Sequence, residues 1–176
     1  GEDGPLASLR LRGVASDHAG AWYVATKDSV LHISAAGRVR TVATCEGGDI
    51  SGVAVSPNGG ALFVTDIGNQ IRRVEVATGA VTTLAGSGEE GGADGVGDAA
   101  EFNNPSGITM SPDGNALFVA DWSNNKIRRV EVATGAVTTL AGSGEGGDAD
   151  GVGGAAQFES PRGLALSPDG SALFVA

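Results

Sequence analysis

The stretch IRRVEVATGAVTTLAGSGE, residues Ile71–Glu89, recurs letter for letter as Ile127–Glu145. A second motif, a Gly followed by alternating apolar residues and then Ser-Pro, begins at Gly52, Gly107 and Gly163, at spacings of 55 and 56 residues. Self-similarity at a fixed period of this size is typical of repeat architectures such as propellers. The repeat, rather than the overall composition, therefore decides the fold.

Each repeat predicts four short strands joined by tight turns. Ser111-Pro112-Asp113-Gly114 is expected to be a turn because Pro fixes φ at the second position and Gly accepts a positive φ at the end. Gly135 lies where a three-residue hairpin loop needs left-handed backbone. The expected strands in this repeat are 107–111, 116–120, 126–132 and 136–141.

Four antiparallel strands repeated in meander order predict an all-β fold, a β-propeller. We expect one domain with blades at about 9–45, 51–86 and 106–142 and a half blade at 162–176. Closed propellers have typically four to eight blades, so about three and a half would form an incomplete ring. The absence of an initiator Met and an end within an expected strand suggest a fragment of a longer protein. The open blade faces of such an arc predict self-association.

Several segments closely resemble an NHL repeat: FNNPSGI at 102–108, LFVADWSNNKIRRV at 117–130, and LAGSG at 84–88 followed by DGVGDAAEF at 94–102. The resemblance covers about 52–176 well and the first repeat weakly, where Thr26 replaces the aspartate found at Asp66 and Asp121. It implies a propeller of NHL-type blades. Similar propellers bind proteins, bind RNA, or serve as scaffolds for a few lyases and hydrolases, so the resemblance implies a fold rather than a function.

Composition narrows the classes of function. The net charge of −10 disfavours general nucleic-acid binding, which gains from neutralising phosphates. Cys45 is the single cysteine, so an intrachain disulfide is excluded. No apolar run approaches the roughly 20 residues that span a bilayer, which predicts a soluble chain. No nucleophile motif, catalytic group or cofactor-binding motif is recognised.

The connections 87–105 and 143–161 are long, whereas the equivalent connection 44–51 is short. Long loops in compact domains are usually functional or disordered. Phe102 and Phe158 follow an Ala-Ala pair in the two copies, and we expect each to be an apolar peg that holds its loop in the gap between blades.

Carboxylates concentrate in these loops, which raises the hypothesis of bound calcium. Asp148 and Asp150 begin a D-x-D-G pattern, and Asp94 is the equivalent of Asp150 in the first loop. Ca²⁺ prefers hard oxygen ligands on flexible loops, but no further carboxylate follows at the ligand spacing of known calcium loops. A solvated acidic turn is the alternative interpretation.

Two recurrent charged motifs have structural explanations. Asp66 and Asp121 end their strands and are expected to accept hydrogen bonds from the turn that follows, rather than form a ring of ligands. The arginines at 72–73 and 128–129 are expected to pair with Glu75, Glu131 and the acidic loops.

The favoured function is a non-catalytic protein-interaction module. Its expected binding face carries the acidic loops, and the candidate partner-binding residues are Trp122, Asn124, Glu90 and Asp98. Two alternatives stay open: a propeller-scaffold enzyme, lyase or hydrolase, whose catalytic groups lie outside this chain, and an RNA-binding propeller that uses Arg72 and Arg128.

Overall fold

A computed structural model describes residues 11–17 and 20–176, so the start of the first expected blade and His18 lie outside the described residues. Within the described part, strands and three single turns of 3₁₀ helix are the only regular elements, and no helix is long and apolar enough to cross a membrane. The strands are β1 Gly13–Ser16, β2 Trp22–Ala25, β3 Ser29–Ile33, β4 Val39–Thr44, β5 Ile50–Val55, β6 Ala61–Asp66, β7 Gln70–Glu75, β8 Val81–Ala85, β9 Gly95–Val96, β10 Pro105–Met110, β11 Ala116–Asp121, β12 Lys126–Glu131, β13 Ala136–Ala141, β14 Leu164–Leu166 and β15 Leu173–Val175.

The strands form three antiparallel sheets and one hairpin. Their orders are β1-β2-β3-β4, β5-β6-β7-β8, β10-β11-β12-β13-β9 and β14-β15. The expected all-β fold, an incomplete β-propeller of four-stranded blades, is confirmed. The fifth strand of the third blade was not expected: β9 comes from the preceding connection and pairs with the outer edge of β13.

The second strand of each blade lies between two cores, which explains its unbroken apolar sequence. On β6, Ala61 and Phe63 pack in the cluster shared with the third blade, while Leu62 and Val64 pack in the cluster shared with the first. Successive side chains of a strand point to opposite faces, so a strand with neighbours on both sides must be apolar at every position.

The Ser-Pro-Asp-Gly turn forms as its sequence predicts. Gly114 has φ 75° and its N–H donates to the carbonyl of Ser111 at 2.9 Å. The Asp113 carboxylate accepts hydrogen bonds from the Ser111 hydroxyl and from Asn115, and these bonds lower the pKa of Asp113. The side chain thus fastens the turn to the strand that follows.

The first strands of successive blades lie side by side along the inner edge of the arc, and glycine permits their close approach. A Cβ atom on Gly52 would lie 2.5 Å from the carbonyl oxygen of Ser106 and 3.1 Å from Thr65 Oγ1. Thr65 Oγ1 itself donates a hydrogen bond to that same carbonyl. Gly107 repeats the arrangement one blade further on, where its N–H donates to Arg162 O at 2.8 Å.

Several apolar side chains are exposed on the first and last sheets. Phe174 on β15 is 63% exposed and Val152 in the second long loop is 92% exposed. The equivalent of Val152 is Val96, which lies in β9 and pairs with Ala136 of the third blade. Val152 is therefore more exposed than Val96 because Val96 pairs with a neighbouring strand.

We expect Gly52→Ala to lower the free energy of unfolding by about 1–3 kcal/mol, the usual cost of overpacking, because the new methyl group meets backbone of the next blade. Urea unfolding measures this difference. The matched control is Gly154→Ala, since a Cβ at Gly154 meets nothing within 4 Å. Equal stability of the two variants would contradict the close-approach argument.

Candidate functional site

The connection between the second and third blades, residues 87–104, is an ordered wedge that we call the acidic loop. Its strand β9 pairs with Ala136 and Val137 of β13, and its backbone is tied to the end of β8 by a hydrogen bond from Gly86 N to Gly97 O. Phe102 is fully buried in the core between the two blades. Phe102 is therefore the apolar peg that the sequence predicts, whereas Phe158 in the second loop is only partly buried.

Arg128 of β12 holds the acidic loop against the third blade. The guanidinium is completely buried and donates to the carbonyls of Glu101 and Ala93 at 3.0 and 2.9 Å. It also donates to the carboxylates of Asp121 at 2.7 Å and Asp94 at 2.8 Å. One side chain thus fixes two points of the loop backbone and one of its carboxylates.

Cation–π contact adds to this anchoring. The Arg128 guanidinium carbon lies 5.2 Å from the centroid of the Phe102 ring, within the range of an attractive contact. The Nε atom of Arg128 has no hydrogen-bond partner in the described part of the chain. Phe102 of the acidic loop and Arg128 of the third blade therefore stabilise each other by direct contact.

Asp121 is the buried counter-ion of Arg128. Its carboxylate also accepts hydrogen bonds from the backbone N–H of Asn103 and from the Asn124 amide, both at 2.8 Å. Burial raises the pKa of Asp121, and the hydrogen bonds and the charge of Arg128 oppose that rise. Asp66 corresponds to Asp121 in the second blade: it accepts from Gln70 N, as expected for a turn cap, and pairs with Arg72.

In each pair of adjacent arginines, one side chain pairs inward with an aspartate and the other forms an ion pair at the surface. Arg73 pairs with Glu75 and Arg129 with Glu131 at the surface, which confirms the expected ion pairs. Arg128 pairs with Asp94 of the acidic loop, which was also expected. The inward pairing of Arg72 and Arg128 with the strand-end aspartates was not anticipated.

Asp94 has a structural role that competes with metal binding. Its carboxylate accepts hydrogen bonds from the backbone N–H of Thr139 at 3.1 Å and from the Thr139 hydroxyl at 2.9 Å, besides the hydrogen bond from Arg128. Partial burial acts to raise the pKa of Asp94, but these bonds and the charge of Arg128 outweigh it and lower the pKa. Within the described residues, no three His, Cys, Asp or Glu side chains come together as metal ligands, and Asp148 and Asp150 are exposed.

The four candidate partner-binding residues lie in different surroundings. Glu90 and Asp98 are exposed on the acidic loop, Asp98 within a 3₁₀ turn at Gly97–Ala99. The Asn124 amide is engaged internally, because it donates to Gly91 O at 2.7 Å and to Asp121. Trp122 is half-buried, and the Arg162 guanidinium stacks 4.3 Å above its ring.

Replacing Arg128 by Met should lower the free energy of unfolding by about 3–5 kcal/mol, because it leaves the Asp121 carboxylate buried without its counter-ion. The matched control is Arg129→Met, which removes a surface pair and should cost less than about 1 kcal/mol. Urea unfolding gives both values. Hydrogen exchange should also show loss of protection for the amides of Gly91 and Glu101 in the Arg128 variant only.

Calcium is expected to leave the thermal unfolding midpoint of the chain unchanged, because Asp94 is already engaged by Arg128 and Thr139. Unfolding curves with millimolar CaCl₂ and with EDTA test this on the parent chain and on an Asp148→Asn, Asp150→Asn variant. A calcium-dependent rise in the parent that the double variant lacks would instead support the calcium hypothesis.

Comparison with known proteins gives two kinds of similarity. No family model matches the chain. The chain is 36% identical over 127 residues to NHL repeat-containing protein 2 of Homo sapiens, which covers 65% of the chain and 17% of that protein. It is 33% identical over 135 residues to protein SUPPRESSOR OF QUENCHING 1, chloroplastic, of Arabidopsis thaliana, which covers 72% of the chain and 13% of that protein. The chain therefore spans less than a fifth of the length of these relatives.

Solved structures agree on the fold. An auxiliary nutrient binding protein from Bacteroides thetaiotaomicron matches with a TM-score of 0.74 at 21% identity, over 93% of this chain and 44% of that one. A nidogen/laminin complex contains a chain that matches with a TM-score of 0.72 at 21% identity, over 96% of this chain and 57% of that one. The repeated segments, the four-stranded blades and the named relatives together place this chain in the NHL-repeat β-propeller family.

Proposed function

We propose that this propeller is a non-catalytic protein-interaction module that binds a partner through the acidic loop and the neighbouring Trp122. The observation that carries the proposal is the buried clamp formed by Arg128, which fixes the loop backbone while Glu90 and Asp98 stay exposed. A surface that is rigid before binding loses little conformational entropy on binding. Such a surface favours recognition of a partner.

The acidic loop offers a charge pattern that suits a basic partner. Glu90 and Asp98 form no ion pair within the described residues, so their charges are free to meet cationic side chains. Exposed carboxylates of this kind speed encounter with a basic surface and align it on the binding face. A structure of the same fold from a nidogen/laminin complex is compatible with a binding role for propellers of this shape.

RNA binding through the repeated arginines is less well supported by the geometry. The Arg128 side chain is 0% exposed and the Arg72 side chain is 21% exposed, and both pair with buried aspartates. Phosphate contacts need guanidinium groups that reach solvent. The arginines therefore stabilise the blades. An enzyme with catalytic groups outside this chain is the other alternative.

Self-association stays a second proposal for the exposed apolar residues of the outer sheets. Phe174 on β15 is 63% exposed and Trp22 on β2 is 49% exposed. Large exposed apolar patches favour association in water. Light scattering on the purified chain at several concentrations tests it, and a monomer at every concentration would contradict it.

The interaction is tested by charge reversal on the loop. The parent chain and an Glu90→Lys, Asp98→Lys variant are immobilised, and bound proteins are quantified by mass spectrometry after capture from an extract. We expect the amount of a reproducibly captured partner to be about tenfold lower with the variant than with the parent chain, because favourable charge pairs become repulsive. The single variants show which carboxylate contributes more.

The matched control is Glu131→Lys together with Glu75→Lys, which makes the same change of charge on the third strands of the blades. Among the described residues these glutamate side chains take part only in surface ion pairs, so the fold should tolerate the change. Equal loss of partner in the loop variant and the control would contradict a binding face on the acidic loop.

A further inference from the structure

Four residues at the same position of the repeat meet at one cavity. Arg12, Ser51, Ser106 and Arg162 each come directly before the glycine of an inner strand, and we call them the inner row. All four line a cavity of about 420 Å³ at the inner edge of the arc. The repeat thus brings two guanidinium groups and two hydroxyls together, although they are far apart in sequence.

The cavity is positively charged in an otherwise acidic chain. Among the described residues its lining contains Arg12 and Arg162 and no Asp or Glu, whereas the whole chain carries a net charge of −10. Within the described part of the chain Arg12 forms one partly exposed ion pair, with Asp49 at 3.5 Å. Arg162 forms no ion pair within the described residues. A concave site with an unpaired guanidinium favours an anionic ligand.

Trp122 supplies a second, independent feature of a binding site. Its ring stacks under the Arg162 guanidinium at 4.3 Å, which orients the cation at the wall of the cavity. The indole Nε1 is buried and has no hydrogen-bond acceptor among the described residues, and Trp122 lines the same cavity. Buried donors usually have partners, so an acceptor oxygen on a bound ligand would complete this one.

A second cavity of about 610 Å³ adjoins the first and is lined mainly by apolar side chains. Val14, Val53, Ile108 and Leu164 line both cavities, which makes the surface continuous. Cavities of this size accommodate small ligands or a few inserted side chains. The ligand that fits has an anionic head for the inner row and an apolar portion for the neighbouring surface.

We propose that the inner row and Trp122 bind an acidic side chain of a peptide segment in which apolar residues follow the carboxylate. Arg162 pairs with the carboxylate, Trp122 Nε1 donates to it or to an adjacent carbonyl, and the apolar residues cover Val14 and Leu164. The inference rests on the proposed function, since the peptide belongs to a protein partner. The inner row is then a cationic subsite, opposite in charge to the acidic loop.

Fluorescence anisotropy with a labelled peptide, Gly-Glu-Glu-Leu-Leu-Gly, tests the site on the full chain. We expect saturable binding that weakens about tenfold for Gly-Gln-Gln-Leu-Leu-Gly, since each charge-assisted hydrogen bond contributes substantially. Arg162→Gln should weaken binding of the acidic peptide by about tenfold. Trp122→Phe keeps an aromatic ring for stacking and removes the donor, so it should weaken binding more modestly.

The control Arg129→Gln removes a cation remote from the inner row and should leave affinity within about twofold of the parent. Thermal unfolding of each variant shows whether the fold is intact. Equal affinity for the two peptides, or unchanged affinity in a folded Arg162→Gln variant, would overturn the proposal. Binding of an oligouridylate without binding of the acidic peptide would also overturn it, in favour of a nucleic-acid ligand.

The outcome is separable from that of the proposed function. Glu90→Lys and Asp98→Lys should leave affinity for the acidic peptide near the parent value or raise it slightly by removing negative charge. Failure of the peptide to bind while the captured partner still depends on Glu90 and Asp98 would overturn the cationic subsite alone. Loss of both effects would contradict the interaction role itself.

Discussion

The buried ion pair between Arg128 and Asp121 is the interaction on which the loop-bearing end of the third blade depends. Arg128 satisfies carbonyls of Glu101 and Ala93 and the carboxylate of Asp94, and Asp121 holds the backbone of Asn103. Removing Arg128 would leave the Asp121 carboxylate buried without a counter-ion, where an unpaired charge is costly, and removing Asp121 would leave Arg128 with the half-exposed Asp94 as its one carboxylate among the described residues. The pair therefore ties a glycine-rich, acidic connection to the third blade.

A second constraint acts at the inner edge, where successive blades approach closely enough that glycine is required. Gly52 and Gly107 have no room for a side chain because the next blade's backbone occupies that space. The residue before each of these glycines is consequently held at the rim of the inner cavity. The repeat therefore brings four residues to the same cavity: Arg12, Ser51, Ser106 and Arg162. The residue type at this position of each repeat sets the charge and polarity of the cavity.

The two surfaces proposed to bind differ in how they are built. The acidic loop presents Glu90 and Asp98 outward from a clamped backbone, whereas the inner row presents arginine from the strands themselves. Trp122 and Asn124 connect them: Asn124 bonds Gly91 of the loop, and the adjacent Trp122 stacks with Arg162. Opposite charges on neighbouring surfaces fix the orientation of a partner, because the reversed arrangement brings like charges together.

The strands, the tight turns and the blade repeat could be predicted from the sequence, because they depend on local backbone preferences and on apolar patterning that recurs with the period. It also indicated the peg at Phe102 and the surface pairs of Arg73 and Arg129. The candidate site could be predicted only in part, since the inward role of Arg128 and the meeting of the inner row escaped sequence reasoning. Arg72 and Arg128 lie in identical segments, yet only Arg128 is fully enclosed, because a long loop covers it where a short connection adjoins Arg72. These features emerge only in the folded chain, because the burial and the partners of a side chain depend on the neighbouring blade, which no local pattern encodes.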